Sequence, residues 1–474
     1  MGDGEPRHVA VVGGGIAGLT AAWALRSGAG PAGPVRVTLL ETSDRLGGKL
    51  RTAPLGDGRV DVGPDAFVAR RPEALALCAE LGLDGELVPP GARGAAVWAR
   101  GRLRTLPDGL ALGLPTRLAP LVRSGILDLA GLARASLDLV RPPRPSRSGA
   151  DGADRSVGEI VRSRLGPQVL ARLADPLIGG INAGPASEMS AAAVFPPLLD
   201  ADRAGGSLFR ALRPPPARNG AAAEPAPVFL APRGGMTRIV DELAGALERD
   251  DVDVRTDAPV DTLRPDDGGW SLEVAGATLR ADAVILAVPA PVAAALLHPV
   301  EESLAGLLGT IDYASVTTVT LRMAEAGVPG PLQGTGFLVP AEQGLLVTGC
   351  TFLSVKWPHL QRPGEVLLRV SSGRFGDPRA DQLDDDALVA RVLDELGAIL
   401  GVTGPPLETV VTRWTEAFPQ YRVGHLELVA AMEKAAAGLP GPLALAGAAY
   451  RGVGIPACIA SGRLAADLVR GGGR

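Results

Sequence analysis

The sequence predicts an α/β protein built on a Rossmann-type dinucleotide-binding domain, with further strands and helices in the rest of the chain. Three observations predict it. Residues 8–12 (HVAVV) read as a buried parallel strand that runs into Gly13, Gly15 and Gly18, spaced GxGxxG, at the head of a helical stretch over 16–26 that ends near Gly28. A second strand, 35–40, ends on Glu41. Near the other terminus, LALAGAAYRGVGIP repeats the order of strand, glycine turn and helix.

Each part of the first unit has a physical reason. Gly13 permits a tight turn, Gly15 lets the backbone approach a pyrophosphate, and Gly18 lets the helix pack on the strand. Gly14, Ile16 and Ala17 complete the loop, where unpaired N–H groups at the helix N-terminus meet phosphate charge. Glu41 can accept from both ribose hydroxyls and would repel a 2′-phosphate, which disfavours NADP. Thr42, Arg45, Gly47, Gly48 and Lys49 follow, and a glycine pair beside basic side chains suits a second close approach to phosphate. The plain alternatives are a glycine turn without ligand and a solvated turn at Arg45 and Lys49.

Further along, 157–173 has helical spacing and 239–247 reads as a helix. Strands are expected at 252–254, 270–274, 283–288, 311–323 and 365–371, and a helix at 388–400. The chain closes with a strand over 443–446 and a helix over 456–469. Segments 141–155 and 213–227, rich in Pro, Gly, Ser and Ala, read as flexible insertions that cannot bury enough apolar surface to hold a fold of their own.

Composition narrows the function. A net charge of −5 argues against nucleic acid as a partner. Cys78, Cys350 and Cys458 lack any CxxC spacing, so neither a disulfide framework nor a metal site is expected, and a reducing, cytoplasmic setting fits. Residues 1–8 lead directly into a strand, leaving no room for a signal peptide. The apolar stretch 283–300 is interrupted by Pro289, Pro291 and Pro299 and is not expected to cross a membrane.

Several motifs then resemble one family. Glu41 to Lys49 (ETSDRLGGK) resembles the ExxxRxGG extension of the flavin amine oxidase superfamily, in which the arginine and glycines continue along an FAD pyrophosphate. The C-terminal glycine turn, with Gly447, Gly452, Gly454 and Ile455, resembles that superfamily's second FAD motif, whose helix N-terminus points at the flavin pyrimidine edge. Val260 matches a position where the backbone meets adenine, with plain sheet packing as the alternative. DVGPDAF (61–67), LIGGINA (177–183), PRGGM (232–236), KWPH (356–359) and WTEAFPQYRVGH (414–425) resemble, in this order, segments of the oxygen-dependent protoporphyrinogen/coproporphyrinogen oxidases. Ala66 stands where serine is usual and Asn182 where tyrosine is common, which puts individual substrate contacts in doubt.

The resemblance implies a flavin amine oxidase-like fold, in which the Rossmann-type FAD-binding domain is joined to a mixed-sheet substrate domain and a helical subdomain. The FAD domain is expected from 1–90, 228–298 and 426–474, a helical subdomain that associates with membranes in some members from 91–212, and a substrate-binding sheet domain from 299–425. It implies FAD as cofactor, a porphyrinogen as substrate and O2 as acceptor, with H2O2 released and coproporphyrinogen III favoured over protoporphyrinogen IX. Flavin N5 takes the hydride, so no catalytic side chain is named, and His359 and His425 are read as structural. Gly63, Pro64, Asp65 and Trp414 are implied on the flavin side; Gly179, Gly180 and Asn182 on the substrate side. Propionates need cations. Arg70 and Arg71 are the first candidates, and the window 93–147 holds ten arginines (93, 100, 102, 104, 117, 123, 134, 141, 144, 147) against three aspartates. Steering of propionates, contact with an anionic membrane surface and a merely solvated face compete for that window. A haem-pathway partner enzyme, an amine oxidase or carotenoid-type desaturase activity, and a non-catalytic FAD- or NAD-binding module remain alternatives.

Overall fold

The computed structural model describes residues 6–27, 35–142, 153–214 and 227–471. Strand β1 (Arg7–Val12), helix α1 (Ile16–Ser27) and strand β2 (Val35–Leu40) form the expected first unit. Helix α2 (Thr237–Arg249) leads into β3 (Asp253–Arg255), followed later by β4 (Ala283–Leu286), β5 (Leu443–Leu445) and helix α3 (Ile455–Arg470). The five strands make one parallel sheet in the order β3-β2-β1-β4-β5. Their burial on both faces explains the near-continuous apolar runs. Helix α1 lies against α2 and α3. Its approach to α3 is close enough that a Cβ on Gly462 would stand 2.2 Å from the Ala17 carbonyl oxygen.

The second domain is a seven-stranded mixed sheet. From one edge to the other its strands are Glu408–Pro419, Tyr313–Ala324, Glu365–Ser372, Val347–Phe352, Gly336–Leu338, Ala96–Ala99 and Arg102–Thr105. Two-residue periodicity divides its central strands. Val319, Leu321, Leu368 and Val370 face a core closed by helix Asp385–Leu400. Thr318 and Arg369 face the nucleotide-binding domain, to whose backbone they donate hydrogen bonds. The helical subdomain packs around Leu121, Ile160, Val161, Leu173, Leu198 and Phe209.

Several expectations change. The strands at 96–105 pair with the large sheet, while Val97 and Ala99 pack into the core of the helical subdomain. The single helix expected over 157–173 is two: Val157–Leu165 stops at Gly166, whose φ is +96°, and Pro167 starts the next. That second helix carries a π turn at Leu170–Ala174 before Asp175–Asn182. Pro176 explains the widening, since it lacks an N–H and its ring crowds the carbonyl one turn back. Strand Glu408–Pro419 and helix His425–Ala437 replace what reads in sequence only as a motif. Most of the two insertions (143–152 and 215–226), with Arg144 and Arg147, and the end of α1 at Gly28 lie outside the described residues. The rim of the first insertion is tied down, because the Asp154 carboxylate accepts from Ser190 Oγ and the Ala192 and Gly424 amides.

Candidate flavin and substrate site

The three glycines of the first loop are needed for different reasons. Gly13 has φ +108°, and a Cβ there would stand 2.5 Å from the Ala287 carbonyl oxygen. A Cβ on Gly18 would fall 1.9 Å from the Gly13 oxygen. At Gly15 no atom lies within 4 Å of where a Cβ would be. The fold requires Gly13 and Gly18; at Gly15 only a ligand would require glycine.

Glu41 closes the loop from below. Its carboxylate accepts from the Gly14 amide at 2.7 Å and from the Ser43 amide and hydroxyl at 2.9 and 2.6 Å. The Ala258 amide donates to the Glu41 carbonyl, which brings the start of strand Val260–Asp266 beside it. Thr42 is exposed at this turn. Gly47 donates to the Gly14 carbonyl, and Gly48 faces Gly15, so the two glycine pairs form one surface. Arg45 donates to the carbonyls of Leu46, Gly48 and Leu50; it shapes this loop as well as charging it. Lys49 has accessible surface, yet protein crowds it enough that desolvation lowers its ammonium pKa, while the nearby Cys458 thiol on α3 opposes that. That neighbour places Lys49 close to the C-terminal motif.

In that motif Gly447 has φ +122° and open space at its Cβ position, and its amide donates to Ser461 Oγ. Gly454, the N-cap of α3, has an ordinary φ of −76° and meets only Pro456 Cδ at 3.8 Å. At Gly454, as at Gly15, no protein atom stands in the way of a Cβ, whereas the positive φ of Gly447 and of Gly452 (+139°) itself calls for glycine. Ile455 is buried beneath the turn.

The DVGPD loop joins the two domains. A Cβ on Gly63 would stand 2.2 Å from the Lys49 oxygen and 3.3 Å from the Trp414 ring, whose Nε1 donates to the Val62 carbonyl. Pro64 is exposed. The side chain of Asp65 is engaged within the protein. Its buried carboxylate accepts from Lys356 Nζ at 2.8 Å and Trp357 Nε1 at 2.9 Å, and pairs with Arg369 at 3.2 Å. Burial alone would raise its pKa, but the Arg369 and Lys356 charges outweigh it and hold the carboxyl well below the usual range. The KW of KWPH therefore serves as the anchor of the GPD loop. Arg369 also donates to the carbonyls of Asp61 and Gly63. Sequence reading passed over it, although one arginine inside the apolar run EVLLRVS was a signal that it had a buried partner.

The substrate candidates are less convergent. Gly179 and Gly180 lie on helix Asp175–Asn182, with a Cβ on Gly180 at 3.4 Å from Leu338 of the large sheet. The Asn182 amide is turned back to the Ile178 carbonyl, and its own carbonyl accepts from Gln420 Nε2. Arg70 is exposed, and Arg71 pairs with Glu73 at 2.7 Å before helix Pro72–Glu80. In the arginine window Arg100, Arg104 and Arg134 donate to backbone carbonyls, whereas Arg93, Arg102, Arg117, Arg123 and Arg141 are exposed. His425 is buried against Tyr421 and Tyr450, as its structural reading expects. Among the described residues no cluster could hold a metal ion, and no helix is long and apolar enough to cross a membrane.

Comparison with known proteins places this geometry. Residues 16–470 match the family described as flavin containing amine oxidoreductase, and the chain belongs to that family. Within it, the chain is 39% identical to coproporphyrinogen III oxidase of Mycobacterium tuberculosis (strain H37Rv) and 33% to that of Bacillus subtilis, each over 98% of both chains. It is 32% identical to protoporphyrinogen oxidase of Bos taurus, again over 98% of both. A crystal structure from Exiguobacterium sp. 255-15, provisionally named a protoporphyrinogen oxidase, superposes with a TM-score of 0.87 at 30% identity, covering 99% of each chain. Putrescine oxidase, at 19% identity and a TM-score of 0.66, shares the fold. The cofactor is FAD, and the residues present fit it: open glycines at both ends of the chain and a lysine crowded by protein between them.

Proposed function

We propose that this protein oxidises coproporphyrinogen III to the porphyrin, with protoporphyrinogen IX as the second reading. End-to-end likeness to coproporphyrinogen III oxidases, reaching 39% identity, carries the proposal; the bovine relative at 32% keeps the second reading in view. Bound FAD supplies the hydride acceptor, and in our reading O2 then takes the electrons, each two-electron step giving one H2O2. The protein's own part is positioning. Gly13, Gly14, Gly15, Ile16, Ala17 and Gly18 present backbone to the pyrophosphate, with Gly48 and Lys49 beside them. Glu41 and Thr42 take the ribose side, Val260 the adenine, and Gly63, Pro64, Trp414, Gly447, Gly452, Gly454 and Ile455 the flavin. Gly179, Gly180 and Asn182 lie on the substrate side, and Arg70 and Arg71 supply cations for propionates.

The helical subdomain suits a peripheral contact with an anionic membrane. Leu129, Leu137 and Val140 are 85%, 59% and 79% exposed, in a segment that also exposes Arg123 and Arg141. One experiment covers both readings: aerobic turnover of the two porphyrinogens, followed by porphyrin fluorescence and peroxide, with and without phosphatidylserine vesicles. Faster turnover of the tetrapropionate and sedimentation of the enzyme with the vesicles are expected. A flavin-loaded protein that turns over neither substrate would end the porphyrinogen reading, and one that stays in the supernatant would end the membrane reading.

A further inference from the structure

The C-terminal glycine turn is anchored by its own buried Ala449 and Tyr450 and by the Arg451–Glu433 pair, and its two arms are also joined by a side chain from elsewhere. Tyr421 Oη donates to the Ala448 carbonyl at 2.6 Å and accepts from the Gly452 amide at 2.7 Å. One hydroxyl thus bridges both arms of the turn. His425 stacks on the Tyr421 ring, with centroids 3.9 Å apart and planes 14° from parallel. Its Nε2 donates to the Tyr450 carbonyl at 2.8 Å; a carbonyl can only accept, so that nitrogen carries the proton. Burial disfavours the charged imidazole, which leaves it neutral.

The segment bearing these rings is itself fixed from the substrate side. Gln420 Nε2 donates to the Asn182 carbonyl, at the end of the helix carrying Gly179 and Gly180. The Ser190 amide donates to the Tyr421 carbonyl, and the Gly424 amide donates to Asp154. Residues 420–425 therefore touch the helical subdomain with their backbone and Gln420, and the flavin turn with Tyr421 and His425.

We propose that Tyr421 is a positioning residue of the flavin site, setting the separation of the two arms of the Gly447–Gly454 turn through its bridging hydroxyl while His425 holds its ring in place. The proposal rests on the assignment of that turn to the flavin. The test is Tyr421→Phe, which keeps the stacked ring and removes both hydrogen bonds. FAD Kd should rise about tenfold, as expected when a buried amide loses its acceptor. In the FAD-saturated variant the fine structure of the flavin absorption near 450 nm and the midpoint potential should both shift. An unchanged Kd, or a weaker Kd with an unmoved spectrum and potential at saturation, overturns the proposal. Gly454→Val, whose Cβ would meet only Pro456 Cδ at 3.8 Å, separates the role of Tyr421 from the assignment of the turn. If it retains FAD, the turn assignment fails; if it loses FAD while Tyr421→Phe matches wild type, only the role of Tyr421 falls. Should Tyr421→Phe not fold, His425→Gln takes its place with the same readouts, since it keeps a donor and removes the stacked ring.

Discussion

The flavin cradle and the helical subdomain are built on opposite principles. The cradle is almost entirely backbone: glycines that exclude side chains, amides left for a ligand, and a few carboxylates and hydroxyls that brace the turns. The helical subdomain is held by side chains that meet across long sequence separations. Arg164, buried with its partners, donates to Asp138 at 3.2 Å, Asp202 at 2.7 Å and the Gly206 carbonyl, while Arg155 also pairs with Asp202. The difference teaches where a mutation will act. In the cradle, outside positions such as Gly13 and Gly18 that the fold itself requires, it should change what binds; in the subdomain it should change whether the chain folds.

The largest expected effect tests the cradle. Gly15→Val should purify without FAD while the melting temperature of the apoprotein stays near wild type, because no protein atom lies within 4 Å of the added Cβ. A yellow, fully loaded variant would sink the pyrophosphate assignment. Next comes Arg164→Met, which leaves two buried carboxylates short of a cation and should cost about 3–5 kcal/mol in chemical unfolding. FAD affinity of the folded fraction should be unchanged; a parallel loss would show that the two regions are not independent.

The smallest effect sharpens the contrast by pH. Asp61, in the DVGPD loop, accepts from Thr52 Oγ1 at 2.7 Å and the Met236 amide at 3.0 Å, yet burial pushes its carboxyl up to about 6. The folded state then holds a proton that the unfolded chain releases, so this group favours folding more as pH falls from above 6 toward 4. Above pH 6 its ionisation opposes folding. Asp61→Asn should stabilise the protein by up to about 2 kcal/mol at pH 7.5 and lose that advantage by pH 4.5. Melting curves across this range check it, and an advantage independent of pH would assign the effect to something other than ionisation.

Much of the cradle was legible because its causes are local. GxGxxG, the acid at Glu41 and the glycine turn before α3 each state their requirement within some thirty residues, and a glycine's lack of a side chain means the same thing in sequence as in space. Helix boundaries were nearly as readable, except where Gly166 and Pro176 interrupted a pattern that looked continuous. The partners of Asp65 were not legible, because Lys356, Trp357 and Arg369 arrive from a distant part of the chain.

By itself, then, the sequence determined the class of fold, the places of the glycine turns and the order of the motifs, since periodicity and backbone freedom are properties of adjacent residues. Only the tertiary structure decided which charges are partnered. Asp65 turns to Lys356 and Arg369, Arg164 to Asp138 and Asp202, and Tyr421 to both arms of the C-terminal glycine turn. A side chain's partner depends on where packing brings the chain back, and no spacing along the chain encodes that distance.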